Sequence, residues 1–217
     1  MTTDARTPVV RLERDALCDT LLAVGPDAPT LCDPWRTRDL AAHLVVRERR
    51  PDAAVGIWVP AFSGWTQHEQ ERIARGDWDE LVATVRSGAP WWSPARIDRV
   101  ESVFNTVELI VHHEDVLRGD GAVGPRREVP DRVARAAFHA LRKAADLMFR
   151  RSPVGVTLVA PGREPLHAGP DDRSVTVSGE PVELLLLASG RARVAEVTMD
   201  GSPEDVATLR TAQLGMS

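Results

Sequence analysis

The chain has 217 residues, of which 43% are hydrophobic and 27% charged, and carries a formal net charge of -5 at pH 7. That length and apolar content support one large domain or two small ones, and the mild acidic balance argues against nucleic acid or an anionic membrane surface as partner. No apolar run approaches the roughly 20 residues of a membrane helix, and the first 17 residues lack the apolar centre of a signal peptide, so a cytoplasmic location is expected.

Taken in chain order, Val10, Leu12, Ala16, Leu17, Leu21 and Leu22 form a helical stripe that Gly25 and Pro26 bring to a stop. Cys18 and Cys32 lie too far apart for a Cys-x-x-Cys redox pair and are read as small buried residues. A second helix is expected from Thr37 to the residue before Pro51. The Thr37 hydroxyl is expected to accept from first-turn amides, with Asp39 at the positive helix end and Trp35 packed back against it. Shorter helices follow over "SGWTQHEQERIA" and "WDELVATVRSG", then long ones over about 97–118 and about 130–151.

After Pro153 the spacing changes. "VGVTLVA", "SVTVSG" and "VAEVTMDG" are short β-branched runs bounded by Gly, Pro and Asp, the pattern of strands, and "PVELLLLASGR" and "SPEDVATLRTAQLG" read as helices between and after them. The expected fold class is α+β: a helical bundle over 1–151 followed by a small α/β domain over 153–217.

The stretch "NTVELIVHHEDVLRG" carries the most chemistry. On a helix, Glu101, Asn105, Glu108, His112 and Asp115 recur at steps of four, three, four and three and make one polar stripe, flanked by the apolar stripe of Val103, Val107, Ile110 and Leu117. Such a stripe is ordinarily a solvated face. Val100, Phe104 and Val111 fill the positions between the stripes, however, which points to burial around much of the helix. Glu108 and His112 stand one turn apart, where a carboxylate and an imidazole from one helix can reach the same ion. A third donor is offered by His43 within "WRTRDLAAHLVV". Alone among apolar neighbours it would read as a core histidine; the pairing with Glu108-x-x-x-His112 makes it a candidate ligand.

"W-x-x-x-D-L-x-x-H" from Trp35 to His43, followed by "E-x-x-x-H-H-x-D" from Glu108 to Asp115, resembles the DinB-like superfamily of metal-binding four-helix bundles. More closely it is similar to the branch of mycothiol-dependent maleylpyruvate isomerases, whose second domain is distantly like sterol carrier proteins. "VTVSGEPVELLLLASGR" resembles that domain's strand, turn and Leu-rich helix. Glu114 departs from the pattern, since a small or apolar residue is common there. The resemblance implies a DinB-like bundle in which His43, Glu108 and His112 bind one divalent metal, with low-molecular-weight thiols of the mycothiol type as co-substrates.

The donor chemistry agrees with that implication. Two imidazoles and a carboxylate with an open fourth position suit a catalytic zinc, and nickel or iron suits the same set. Neither cysteine is expected near it. A coordinated thiol would lose its proton and attack an electrophilic substrate. Asp115 is placed to orient His112 through its second nitrogen, and His113, turned about 100° away, reads as a packing residue. Asn105 and Glu101 are candidates for the pocket mouth, and Arg191 with Arg193 for holding a substrate carboxylate. Trp91 and Trp92 read as loop packing, and His68, His139 and His167 as surface residues. Three readings remain open: a metal-dependent enzyme using a small thiol for isomerisation or S-transfer, a non-catalytic protein braced by its ion, and a ligand- or partner-binding regulatory module.

Overall fold

The computed structural model describes residues 8–91, 93, 99–170 and 172–215, with no side-chain placement for 55, 57, 58, 60 and 99–102. Contacts divide the chain into two compact units, Met1–Asp120 and Gly121–Ser217. The first unit is helical: α1 (Val9–Val24), α2 (Thr37–Arg49), α3 (Pro51–Trp58), a short 3-10 turn (Pro60–Phe62), α4 (Ser63–Ala74), α5 (Trp78–Ser87) and α6 (Arg99–Leu117). The second holds α7 (Asp131–Met148), β1 (Gly155–Val159), β2 (Leu166–Ala168), β3 (Ser174–Ser178), α8 (Pro181–Ala188), β4 (Thr198–Asp200) and α9 (Pro203–Thr211). The chain is thus a mixed helical and four-stranded α+β protein. None of its described helices is long and apolar enough to cross a membrane.

In the first unit the apolar stripes meet as the spacing requires. Leu17, Cys18 and Leu21 of α1, Leu40, Ala41, Leu44 and Val45 of α2, Leu81, Val82 and Val85 of α5, and Leu109 and Val116 of α6 form one buried cluster. Each fully buried Leu or Val there contributes about 1.5–3 kcal/mol relative to exposure. Cys18 sits inside it with its thiol directed at Val82 O, and burial pushes its pKa up to about 11.

Two local expectations change. Thr37 does not accept from the first turn of α2; its hydroxyl donates to Gly25 O at 2.6 Å, pinning the end of α1 to the start of α2, and Asp39 instead accepts from Arg36 N at 2.9 Å. Pro51 ends α2 but opens α3, where the missing N–H costs nothing. Arg14 of α1 and Glu48 of α2 form a buried ion pair, the Arg14 Nη1 also donating to Val85 O at 2.9 Å and Ser93 donating to Glu48 O at 2.6 Å. A charge sunk this deep is tolerated because both Glu48 carboxylate oxygens and both terminal Arg14 nitrogens are paired.

In the second unit the strand order is β2-β1-β3-β4, with β1 and β3 parallel and the outer pairs antiparallel. Val156 pairs with Val175 and Leu158 with Val177, so the inward residues of the central strands are buried, as are Leu184 to Leu187 of α8. Strand β2, over Leu166–Ala168, escapes a reading by apolar pattern because it is only three residues long and an edge strand; β4 covers only the end of "VAEVTMDG". Helix α8 closes by a Schellman turn: Arg191 N donates to Leu186 O, Gly190 N to Leu187 O, and Gly190 takes φ 83°, a conformation that side chains resist. The expected boundary near residue 152 differs from the observed one, because α7 packs on α8 and β2 and its stripe of Val133, Ala137, Ala140, Leu141, Ala144 and Met148 is spent on the sheet-bearing unit.

Breaking the buried pair by Glu48→Ala should cost about 3–5 kcal/mol in denaturant unfolding, whereas Arg11→Ala, which removes an exposed pair with Asp15, should cost less than about 1 kcal/mol. Gly119 lies so close to the loop before α2 that an added Cβ would stand 2.0 Å from Pro29 O. Gly119→Ala should therefore lower the unfolding midpoint, by about 1–3 kcal/mol, through displacement of that loop.

Candidate metal centre

Helix α6 is buried on almost every side at its C-terminal half. His112, His113, Glu114, Asp115 and Arg118 are each less than one-tenth exposed. Charged and polar groups survive such burial only when partnered. Glu114 and Arg118 pair along the helix at 2.9 Å. His113, on the α1 side, meets Glu13 Oε1 through Nδ1 and Thr20 Oγ1 through Nε2, both at 2.8 Å, so both ring nitrogens are engaged. The charged residue at 114, unusual for the resembled motif, is accounted for by the Arg118 pair.

His112 faces the other way. Its Nδ1 is 2.9 Å from Asp115 Oδ2 and its Nε2 3.1 Å from Glu108 Oε2, and since carboxylates only accept, both nitrogens donate in the ion-free ring. An ion shared with Glu108 would take the place of the Nε2 proton while Nδ1 keeps its bond to Asp115. His43 reaches the same carboxylate from α2, with Nε2 at 3.9 Å from Glu108 Oε2, and the two imidazoles stand edge to face with centroids 5.5 Å apart. One donor atom from each of His43, Glu108 and His112 lies within 4.8 Å of the others. Donors sharing an ion at about 2.0–2.2 Å stand roughly 3–3.5 Å apart, so small side-chain rotations complete the set.

The electrostatics follow from burial and these bonds. Burial lowers the pKa of His43, against a hydrogen bond that the ring donates to Glu108. Burial works to raise the Glu108 carboxyl, yet hydrogen bonds from His112 and His43 outweigh it and hold it well below the usual range. Burial also opposes a charged His112, but bonds to Asp115, Cys32 and Glu108 prevail and lift its pKa well above the ordinary value. The surroundings of His112 therefore favour positive charge at this point in the fold.

Three neighbours complete the centre, and spacing had not singled them out for it. Arg47, one turn after His43 on the same face of α2, places Nε 3.8 Å from Glu108 Oε2 and donates from Nη1 to Asn105 Oδ1 at 2.6 Å. The His43-x-x-x-Arg47 step was open to view. Trp35 sets its ring 5.0 Å from that of His43. Cys32 corrects the expectation that neither cysteine lies near the site: its Sγ is 3.1 Å from Asp115 Oδ2 and 3.9 Å from His112 Nδ1, and it is half-buried rather than buried. Nothing in the sequence links positions 32 and 112. The loop is brought there by Leu31 N donating to Asp115 O at 3.0 Å, and is shaped internally by Thr30 donating to Trp35 O and Trp35 N to Cys32 O.

The remaining candidates lie elsewhere or are engaged otherwise. Asn105 joins the centre through Arg47. The Glu101 side chain and Trp92 fall outside the described residues, and Trp91, expected to pack, is 80% exposed. Arg191 belongs to the second unit, where its Nη1 donates to Ser189 O at 2.6 Å and closes the end of its own helix; Arg193 is exposed. His68, His139 and His167 are exposed, His68 stacking on Trp65.

No family model and no curated protein sequence matches the chain. Two solved structures do: the mycothiol-dependent maleylpyruvate isomerase, and a variant of it with one histidine replaced by alanine. Each shares 18% identity with this chain, covers 92% of it and is itself covered over 96%, with a TM-score of 0.55. At that identity the likeness concerns the fold, and over nearly its whole length this chain has a fold similar to that of the mycothiol-dependent maleylpyruvate isomerase.

Proposed function

We propose that the first unit holds one divalent ion on His43 Nε2, Glu108 Oε2 and His112 Nε2, and that the protein is a metal-dependent enzyme joining a low-molecular-weight thiol of the mycothiol type to a small electrophile, for isomerisation or S-transfer. The observation that carries this reading is the convergence of three N and O donors from two distant helices, with the second nitrogen of His112 fixed by Asp115. Such a donor set is open at a fourth position and suits zinc, nickel or iron. The fold likeness to a thiol-dependent isomerase supports the substrate class. The DinB-like bundle and the sterol-carrier-like second domain remain part of the same proposal.

A divalent ion so held acts as a Lewis acid and lowers the proton affinity of a coordinated thiol. The chain's own residues prepare for that. Burial disfavours a charged His43, Asp115 holds His112 through Nδ1, and Glu108 supplies the one anionic donor. Arg47, steadied by Asn105, adds a cation beside Glu108, so that a loaded centre holds an excess of positive charge suited to a thiolate and to a substrate carboxylate. Trp35 walls the His43 side and limits water there.

The burial of the centre also favours a second reading, in which the ion braces α2 against α6 without turnover. Both readings expect one zinc, nickel or iron ion per chain by elemental analysis, lost in His43→Ala and Glu108→Ala; unchanged content in both variants would rule out the site. At a hundredfold excess over Kd the ion should stabilise the fold by about 2.7 kcal/mol, read as a rise in Tm. Only the enzymatic reading expects consumption of mycothiol with maleylpyruvate or another small electrophile. In that assay Arg47→Ala should raise KM for an anionic substrate roughly tenfold or more while metal content stays at one, since a lost charge-assisted bond costs about 1.5–3 kcal/mol.

A further inference from the structure

His112 stands between two ligand sets. On its Nε2 side are Glu108 and His43. On its Nδ1 side, Cys32 Sγ, His112 Nδ1 and Asp115 Oδ2 form a second group whose donor atoms lie within 4.8 Å of one another, the closest pairs at 2.9 and 3.1 Å and the sulfur 3.9 Å from Nδ1. Donors sharing one ion at about 2.0–2.3 Å stand roughly 3–3.7 Å apart, so the two hydrogen-bonded pairs need open, and the sulfur close in, by only a few tenths of an ångström to about 1 Å. We infer that this group is a second cation site, selective for soft, thiophilic divalent ions, and that it competes with the His43–Glu108–His112 set for a single imidazole.

The competition follows from the shared ring, since His112 belongs to both donor groups. A neutral imidazole offers one lone pair, to one side or the other. With the proton on Nδ1, donated to Asp115 at 2.9 Å, Nε2 is the donor atom and the first set is complete. With the proton on Nε2, donated to Glu108 at 3.1 Å, Nδ1 is the donor atom and the second set is complete. Each tautomer thus has a carboxylate waiting on the far side of the ring, and each disables the other site. An ion entering the second set displaces the Cys32 thiol proton and the His112 Nδ1 proton to solvent while Nε2 keeps its proton on Glu108, so one divalent cation replaces two protons on the ligands. The two sets differ in softness. Thiolate sulfur draws thiophilic ions, whereas two imidazoles and a carboxylate have no such preference. Cys32 is half-buried, which leaves the thiol a route to solvent, while Asp115 beneath it is fully buried.

The occupancy of the second set does not depend on the proposed reaction; its consequence, silencing of the first set by thiophilic ions, rests on that reading. The test is titration of the full chain with cadmium, following the ultraviolet sulfur-to-cadmium charge-transfer band. Wild type should show the band saturating at one equivalent, Glu108→Gln should keep it, and Cys32→Ser should lose it while still binding zinc. Wild-type protein preloaded with zinc should release one zinc per chain to a colorimetric chelator as cadmium enters, a readout that needs no variant. No band in folded wild type, a band that persists in Cys32→Ser, or zinc retained beside bound cadmium would each overturn the inference. A cadmium band in a chain that binds no zinc would sink the proposed function and leave this site standing.

Discussion

The C-terminal half of α6 and the residue just past its end must bury five polar or charged side chains within seven positions, and the rest of the first unit is arranged to answer them. An unpartnered charge at such depth costs several kcal/mol, so each needs a partner placed by another element or another turn. His113 draws Glu13 and Thr20 of α1 to one side. Glu114 and Arg118 satisfy each other along the helix. His112 and Asp115 require something on the remaining side, and the loop before α2 brings Cys32 and the Leu31 amide to them. The close approach at Gly119, where a side chain would strike Pro29, is what lets that loop lie against the helix.

One imidazole is therefore the hinge of the local chemistry. A histidine gripped by a carboxylate on one nitrogen presents the other as a fixed donor, and the orientation holds because Asp115 has no exposure to solvent. The same device has a second use. Because Asp115 and Glu108 flank opposite nitrogens, the one ring belongs to both the proposed His43–Glu108–His112 set and the inferred Cys32–His112–Asp115 set.

Much of this was legible beforehand. Helices α4 and α5 sit where their apolar spacing and flanking Gly residues put them, because spacing and breakers are local signals. The polar stripe of α6 was visible, and so was the apolar filling that argued against a solvated face; His112 and Asp115 are indeed buried. His43 and Glu108 were candidates for one ion from residue type and helical step, and the fold brings them within 3.9 Å. Thr37 was misjudged because its hydroxyl found a carbonyl 12 residues away, and β2 because three edge residues carry too little pattern.

The sequence by itself determined the α+β class, the helical spacing that sets Glu108, His112 and Asp115 on one face, and the donor types suited to a divalent ion, because these depend only on local periodicity and side-chain chemistry. Tertiary structure decided which far-off residues stand beside that face, Cys32 from a loop 80 positions away and Arg47 and Trp35 around His43, and, within the second unit, that α7 packs on α8 and β2. Those choices were made by packing and by the need to partner buried charge, which act between segments and leave no mark in either segment alone.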